Sequence, residues 1–179
     1  TYHPEEAVSG KGQYAENKFF GKPCGLMDQA ASRIGSFITI DFENKETPEV
    51  RQINFDFAKS GYALCITDTH GSHSALTPDY AAVPAEMRAV AAEFGKEVLR
   101  EVDEEEFYAN IAALRQKMGD RCVLRAMHFF AENARVLEEA AALKANDFDA
   151  FKKLVIESGY SSYMYLQNVY SPTHANEQG

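Results

Sequence analysis

An acidic residue follows a segment rich in glycine and proline near the start of the chain. The segment Gly21-Lys22-Pro23-Cys24-Gly25 precedes Leu26-Met27-Asp28-Gln29. We predict a short helix from Leu26 to Arg33, which places Asp28 near the positive end of the helix dipole. A carboxylate held there stays ionised and can accept a proton from a bound hydroxyl. The same position is typical of a helix cap, and spacing alone favours capping over catalysis.

A second polar cluster follows the last predicted strand. Asp68, His70 and His73 stand within six residues of one another and include two side chains that bind metals. Their spacing matches no common ligand pattern, and no further cysteine or glutamate completes a set. We therefore predict an ordinary polar loop and no metal site. His128 lies on the apolar face of a predicted helix, which indicates a hydrogen-bonded core histidine.

Nucleotide-binding and nucleophile motifs are absent from the sequence. Ser9-Gly10-Lys11-Gly12 contains glycine and lysine, but it lacks the G-x-x-x-x-G-K-[ST] spacing and follows no predicted strand. The sequence has neither a Cys-x-x-Cys pair nor a serine nucleophile elbow.

The composition is that of an ordinary globular protein. The 179 residues are 45% hydrophobic and 25% charged, with a formal net charge of −9. A chain this acidic is a poor candidate for binding nucleic acid or an anionic membrane through a broad basic face. No apolar run reaches the roughly 18 residues of a membrane helix. The three cysteines, Cys24, Cys65 and Cys122, have no paired spacing, so we predict reduced thiols and a cytoplasmic location.

The residue pattern predicts strands first and helices afterwards. Strands are expected at 37–42, 53–57 and 62–67, and the short gaps between them favour an antiparallel meander. Helices are expected at 4–20 before the strands, and beyond them over most of the chain. The predicted class is α+β, with a boundary near 68–79.

Three local signals place the later helices. Pro84 is expected in the first turn of a helix that ends at Gly95. Asp103 with Glu106 resembles a capping box. A long helix is expected over 122–145, followed by another that starts after Asn146 or Asp147.

Four segments together resemble the galactokinase family. Residues 13–29 read QYAENKFFGKPCGLMDQ and match its signature A-E-N-x-F-x-G-x-x-C-G-x-M-D-Q. Residues 73–80 look like its H-S-L-x-x-x-x-Y segment, and residues 95–102 are similar to its G-K-x-x-L-R-E-V stretch. Arg125, His128, Glu132 and Arg135 fall on its R-A-x-H-x-x-x-E-x-x-R helix.

The resemblance implies a GHMP-type small-molecule kinase. Such a kinase transfers the γ-phosphoryl group of Mg-ATP to the C1 hydroxyl of galactose, at the entry to the Leloir pathway. It implies that Asp28 is the catalytic carboxylate, that the backbone of Gly25 contacts the sugar, and that Tyr80 hydrogen-bonds the sugar ring. It also implies that residues 1–70 are the back half of the N-terminal lobe and that 71–179 are part of a mostly helical C-terminal lobe.

The sequence departs from the family pattern in two ways. The sugar-binding R-T-E-H-x-D-x-N motif, the phosphate loop and the C-terminal glycine-rich motif are absent. We therefore expect an internal fragment of a longer kinase that is inactive alone and holds neither ATP nor Mg²⁺ by itself. In addition, Ser72 stands where many members have arginine, and Ser158-Gly159 stands where they have Ser-His.

Two alternatives remain open from the sequence. One is a galactokinase-like regulator that binds sugar and nucleotide and signals through a protein partner. The other is a kinase for a related sugar, such as N-acetylgalactosamine or arabinose.

Overall fold

The computed structural model of the chain describes residues 4–19, 25–44, 47–68 and 76–169. The chain divides into two compact units. The first comprises Thr1–Gly61 with Ala140–Asp147, and the second comprises Tyr62–Glu139 with Phe148–Gly179. The predicted division into lobes at residues 70 and 71 stays a prediction.

The first unit combines two helices with a small antiparallel sheet. These elements are α1 (Pro4–Phe19), α2 (Met27–Ile34), β1 (Phe37–Asp41) and β2 (Glu49–Ile53). The two strands pair so that Phe37 lies opposite Ile53 and Asp41 lies opposite Glu49. The α+β class is confirmed, as are the two helices and the first strand.

The prediction of a three-stranded meander is wrong for the described part of the chain, where the sheet has two strands. The second strand ends at Ile53, and Phe57–Ser60 forms a 3-10 helix. Phe55 and Phe57 bury their rings by packing on Phe37, with ring centroids 5.6 and 6.4 Å away. Their alternation therefore reflects an aromatic cluster and not a pleated strand.

The apolar segment at 62–67 forms no strand either. Tyr62 is held within the second unit by Phe148, with ring centroids 5.2 Å apart, and by Lys152, whose Nζ lies 3.8 Å from the Tyr62 ring centroid. Leu64 and Ile66 are 82% and 92% exposed. A central strand needs neighbouring strands along its edges, and no strand among the described residues pairs with this segment.

The second unit is helical. Its elements are α3 (Thr77–Glu93), a 3-10 turn (Leu99–Glu101), α4 (Glu104–Ala109), α5 (Ile111–Met118), most of α6 (Asp120–Lys144), α7 (Phe148–Ser161) and a π-helix (Ser162–Leu166). One buried cluster joins the elements from α3 to α6: Val90, Ala91, Leu99, Val102, Phe107, Leu114, Val123, Ala126 and Phe130. No helix in the described ranges has the length and apolar character of a membrane span.

Two helix ends in this unit follow the predicted local signals, and one helix start does not. Asp103 caps α4 by accepting a hydrogen bond from the Glu106 backbone N–H at 2.8 Å. Gly95, at φ +69°, follows the end of α3 as predicted. The placement of Pro84 in a first turn is wrong, because α3 begins at Thr77 and Pro78 occupies its first turn. Pro84 lies inside the helix, where it cannot donate a backbone hydrogen bond.

Candidate functional site

Asp28 lies in the first turn of α2 and is exposed to solvent. The residue at the N-cap position is Leu26, whose side chain makes no capping hydrogen bond. Asp28 is therefore not the capping residue that spacing alone favoured. Its carboxylate is open to solvent at the positive end of the helix dipole, where a bound hydroxyl could reach it.

Close packing between α1 and α2 fixes the helix that carries Asp28. Gly12 of α1 lies against Gln29, so that a Cβ added at Gly12 would stand 3.3 Å from the Gln29 Cγ. Ala30 is 2% exposed. One face of α2 is thus buried while Asp28 remains open to solvent.

Gly25 lies three residues before Asp28 in the same unit, with an exposed backbone. Its φ lies outside the left-handed region, and a Cβ added there would meet no described atom within 4 Å. The described fold therefore does not require glycine at this position. Open space of this kind lets a ligand approach the backbone closely.

Tyr80 belongs to the second unit and lies in the first turn of α3. Its side chain is 51% exposed. The structure thus places Gly25 and Asp28 together in the first unit and Tyr80 in the second. Of the other residues singled out in the sequence, Cys24, His70, Ser72 and His73 lie outside the described ranges. Among the described residues, no group of three His, Cys, Asp or Glu side chains is placed to hold a metal ion.

A buried ion pair connects the helix of Tyr80 to the rest of the second unit. Arg125 of α6, with a side chain 5% exposed, donates from Nη1 to the Glu86 Oε2 at 2.8 Å. Its Nε also donates to the Leu166 carbonyl at 3.0 Å. Arg121 binds the same Glu86 carboxylate from the solvent side. Sequence reasoning missed Glu86, although the motif match at Arg125 marks the helix to which it binds.

The histidine on α6 is a core residue, as predicted. His128 is 8% exposed, and its Nδ1 lies 2.9 Å from the Ser161 hydroxyl. Burial lowers the pKa of His128 below its ordinary value. One turn further on, Glu132 pairs with Arg135 and accepts a hydrogen bond from Ser158.

An open cavity of about 450 Å³ borders this cluster. Its walls come from α4, α6, α7 and the π-helix, and they include Tyr108, Met127, Arg135, Ser161 and Tyr165. Burial raises the pKa of the Tyr108 phenol. The cavity contains none of the residues that the resemblance singles out for catalysis or sugar binding.

Comparison with known proteins gives a consistent result. The chain is 36% identical over 150 residues to a galactokinase of Glaesserella parasuis, a match that covers 82% of the chain and 37% of that protein. It is 35% identical over 152 residues to a galactokinase of Bos taurus and 35% identical over 149 residues to one of Homo sapiens. These matches cover 83% and 82% of the chain and 36% of each relative. No protein-family model matches the chain.

Proposed function

Because the chain belongs to the galactokinase family and spans about 37% of the length of such relatives, we propose that it is part of an ATP-dependent galactose 1-kinase. The observation that carries the proposal is the match to galactokinases over 150 residues. The site geometry is compatible with it, since Asp28 presents an exposed carboxylate at a helix start beside the open backbone of Gly25.

In the proposed reaction the C1 hydroxyl oxygen of galactose attacks the γ-phosphorus of ATP. The bond from that phosphorus to the β–γ bridging oxygen breaks, and ADP leaves. Asp28 accepts the hydroxyl proton as the new bond forms. Phosphoryl transfer depends mainly on positioning and charge stabilisation. One carboxylate and one close backbone contact are therefore sufficient to orient the sugar and to accept its proton.

We propose that the residues that bind the nucleotide lie elsewhere in a longer protein. The sequence contains no phosphate loop, and the described residues offer no cluster for a metal ion. We therefore propose that Mg²⁺ enters with ATP, and that the 179-residue chain alone shows no turnover. The proposed location is the cytoplasm, and the proposed partners are galactose and ATP, with neither nucleic acid nor membrane.

The test is Asp28→Asn in the whole protein that contains this chain, with ADP formation measured against galactose concentration. Loss of a general base should lower kcat by roughly 10²- to 10⁴-fold. Asp149→Asn is the matched control, because Asp149 is also an exposed aspartate at the second position of a helix. It should leave kcat unchanged.

The outcomes separate the proposal from its alternatives. Near wild-type turnover of Asp28→Asn would reject the catalytic assignment. Binding of galactose and nucleotide without ADP formation in the wild type would favour the regulator. A higher kcat/KM for N-acetylgalactosamine or arabinose than for galactose would move the proposal to that sugar.

A further inference from the structure

Helix α3 lacks one backbone hydrogen bond just beyond the turn that carries Tyr80. Pro84 has no backbone N–H, so it cannot donate the helical hydrogen bond to the carbonyl of Tyr80, four residues earlier. The first turn of α3 is thus joined less firmly to the rest of the helix. The position of Tyr80 therefore depends on the contacts that hold the helix close to Pro84.

Glu86, two residues beyond Pro84, anchors α3 at this point. Its side chain is 16% exposed and binds Arg125, whose side chain is 5% exposed. Because both groups are removed from water, their mutual charge and hydrogen bond fix the geometry far more strictly than a surface pair would.

Arg125 also joins a third segment to this pair. Its Nε donates to the carbonyl of Leu166, the last residue of the π-helix. The next residue, Gln167, adopts a left-handed conformation at φ +56°, so the chain turns at this point. One planar guanidinium therefore ties α3, α6 and the end of the π-helix together.

The spacing along α3 relates the Glu86–Arg125 pair to Tyr80. Six residues separate Tyr80 from Glu86, which corresponds to about 9 Å along a helix and roughly 120° around it. Glu86 consequently faces α6, while Tyr80 is turned toward solvent with 51% of its side chain exposed. Rotation of α3 about its axis would move Tyr80, and the Glu86–Arg125 pair opposes that rotation.

We propose that Arg125 is a positioning residue for sugar binding, which sets the orientation of α3 through Glu86 and thereby places the Tyr80 phenol. The inference rests on the proposed function and on the sugar contact that the galactokinase resemblance implies for Tyr80. Arg125 touches neither substrate nor nucleotide in this account. Its effect belongs in the KM for galactose and not in kcat.

The experiment uses Arg125→Lys in the whole protein. Lysine keeps the charge but lacks the planar fork that serves Glu86 and Leu166 together. KM for galactose should rise several-fold, by no more than Tyr80→Phe raises it, while kcat and the KM for ATP stay within about two-fold. Arg115→Lys is the matched control, since Arg115 pairs with Asp120 on the surface with 58% of its side chain exposed. It should change none of these constants.

A double-mutant cycle distinguishes positioning from general damage. In the Tyr80→Phe background, Arg125→Lys should produce little further rise in the galactose KM, because the contact that it positions is already gone. An equal rise in both backgrounds, an unchanged KM, or an equal rise in the ATP KM would overturn the inference. If Arg125→Lys does not fold, Glu86→Gln serves in the same cycle.

Hydrogen exchange gives a readout that does not depend on the sugar. Amide exchange at 81–83, the first amides of α3 that bond back to carbonyls of its first turn, should be faster in Arg125→Lys than in wild type and Arg115→Lys. Unchanged exchange there would overturn the inference. Absence of galactose-dependent ADP formation in the wild type would instead refute the proposed function. The exchange result would then show by itself whether the Glu86–Arg125 pair holds the start of α3.

Discussion

Gly25→Ala provides a sharp test of the sugar side of the site, because the structure predicts opposite effects on folding and on binding. The φ of Gly25 is outside the left-handed region, and a new Cβ would meet no described atom within 4 Å. Alanine at such a position reduces the entropy of the unfolded chain. It should therefore raise the free energy of unfolding by about 0.4–1 kcal/mol.

The effect on sugar binding should have the opposite sign. If the backbone at Gly25 contacts galactose closely, a methyl group there displaces the sugar and weakens one hydrogen bond. Such a bond contributes about 0.5–1.5 kcal/mol, which corresponds to a rise of roughly 2- to 13-fold in the KM for galactose. The KM for ATP should not change.

The assay combines urea denaturation with steady-state kinetics on the whole protein. Gly119→Ala is a contrasting variant, because Gly119 also has open space but lies at φ +86°. It should lower stability without altering the KM for galactose. The reasoning is refuted if Gly25→Ala destabilises the fold while leaving the galactose KM unchanged, since glycine would then serve the backbone and not the ligand.

Three further predictions follow from the second unit. Tyr80→Phe should raise the galactose KM several-fold through loss of one hydrogen bond, whereas Tyr108→Phe should not; equal constants for the two variants would remove Tyr80 from the sugar site. Asp103→Ala should lower the free energy of unfolding by about 1 kcal/mol, because its carboxylate caps α4 by accepting from the Glu106 N–H; an unchanged urea midpoint would contradict this. Burial lowers the pKa of His128 in the folded state. The stability that depends on a neutral His128 is therefore fully present above the pKa of about 6.5 in the unfolded chain, and it is lost as pH falls from there toward the lowered pKa. Wild type should therefore lose more stability than His128→Gln between about pH 7.5 and about pH 5.5, and equal losses would show that another group titrates.

Local signals in the sequence predicted most helices because the causes are themselves local. The Asp103 cap and the glycine at position 95 act within one or two turns, and both appear in the structure as predicted. The apolar environment of His128 follows from its place on a helical face, and the structure confirms its burial. Helices depend on neighbours in sequence, so their boundaries can be derived from the sequence.

The strands were less predictable because pairing depends on distant residues. Phe55 and Phe57 alternate like a strand, but their rings pack on Phe37 outside the sheet. The apolar run from Tyr62 has the composition of a central strand, yet no strand among the described residues pairs with it. Composition specifies a propensity for strands and leaves the partner unspecified.

The helix that carries Asp28 was predictable from the sequence, whereas the contacts that support the candidate site residues were not. Asp28 could be placed at a helix start from spacing, but only the structure shows that Leu26 occupies the cap position. Glu86 lies 39 residues from Arg125 in sequence, and no periodicity connects the two. Such ion pairs depend on how helices pack, which a single sequence does not specify.

The most direct test of the central claim is the identity of the product formed by the whole protein with galactose and ATP. A phosphorus–proton correlation spectrum locates the new phosphate ester without assumptions about any residue. The account predicts one phosphate coupled to H1 of galactose, in amounts equal to the ADP released, and loss of that signal in Asp28→Asn but not in Asp149→Asn. A phosphate coupled to any other sugar proton, or sugar and nucleotide binding with no ester formed, would contradict it.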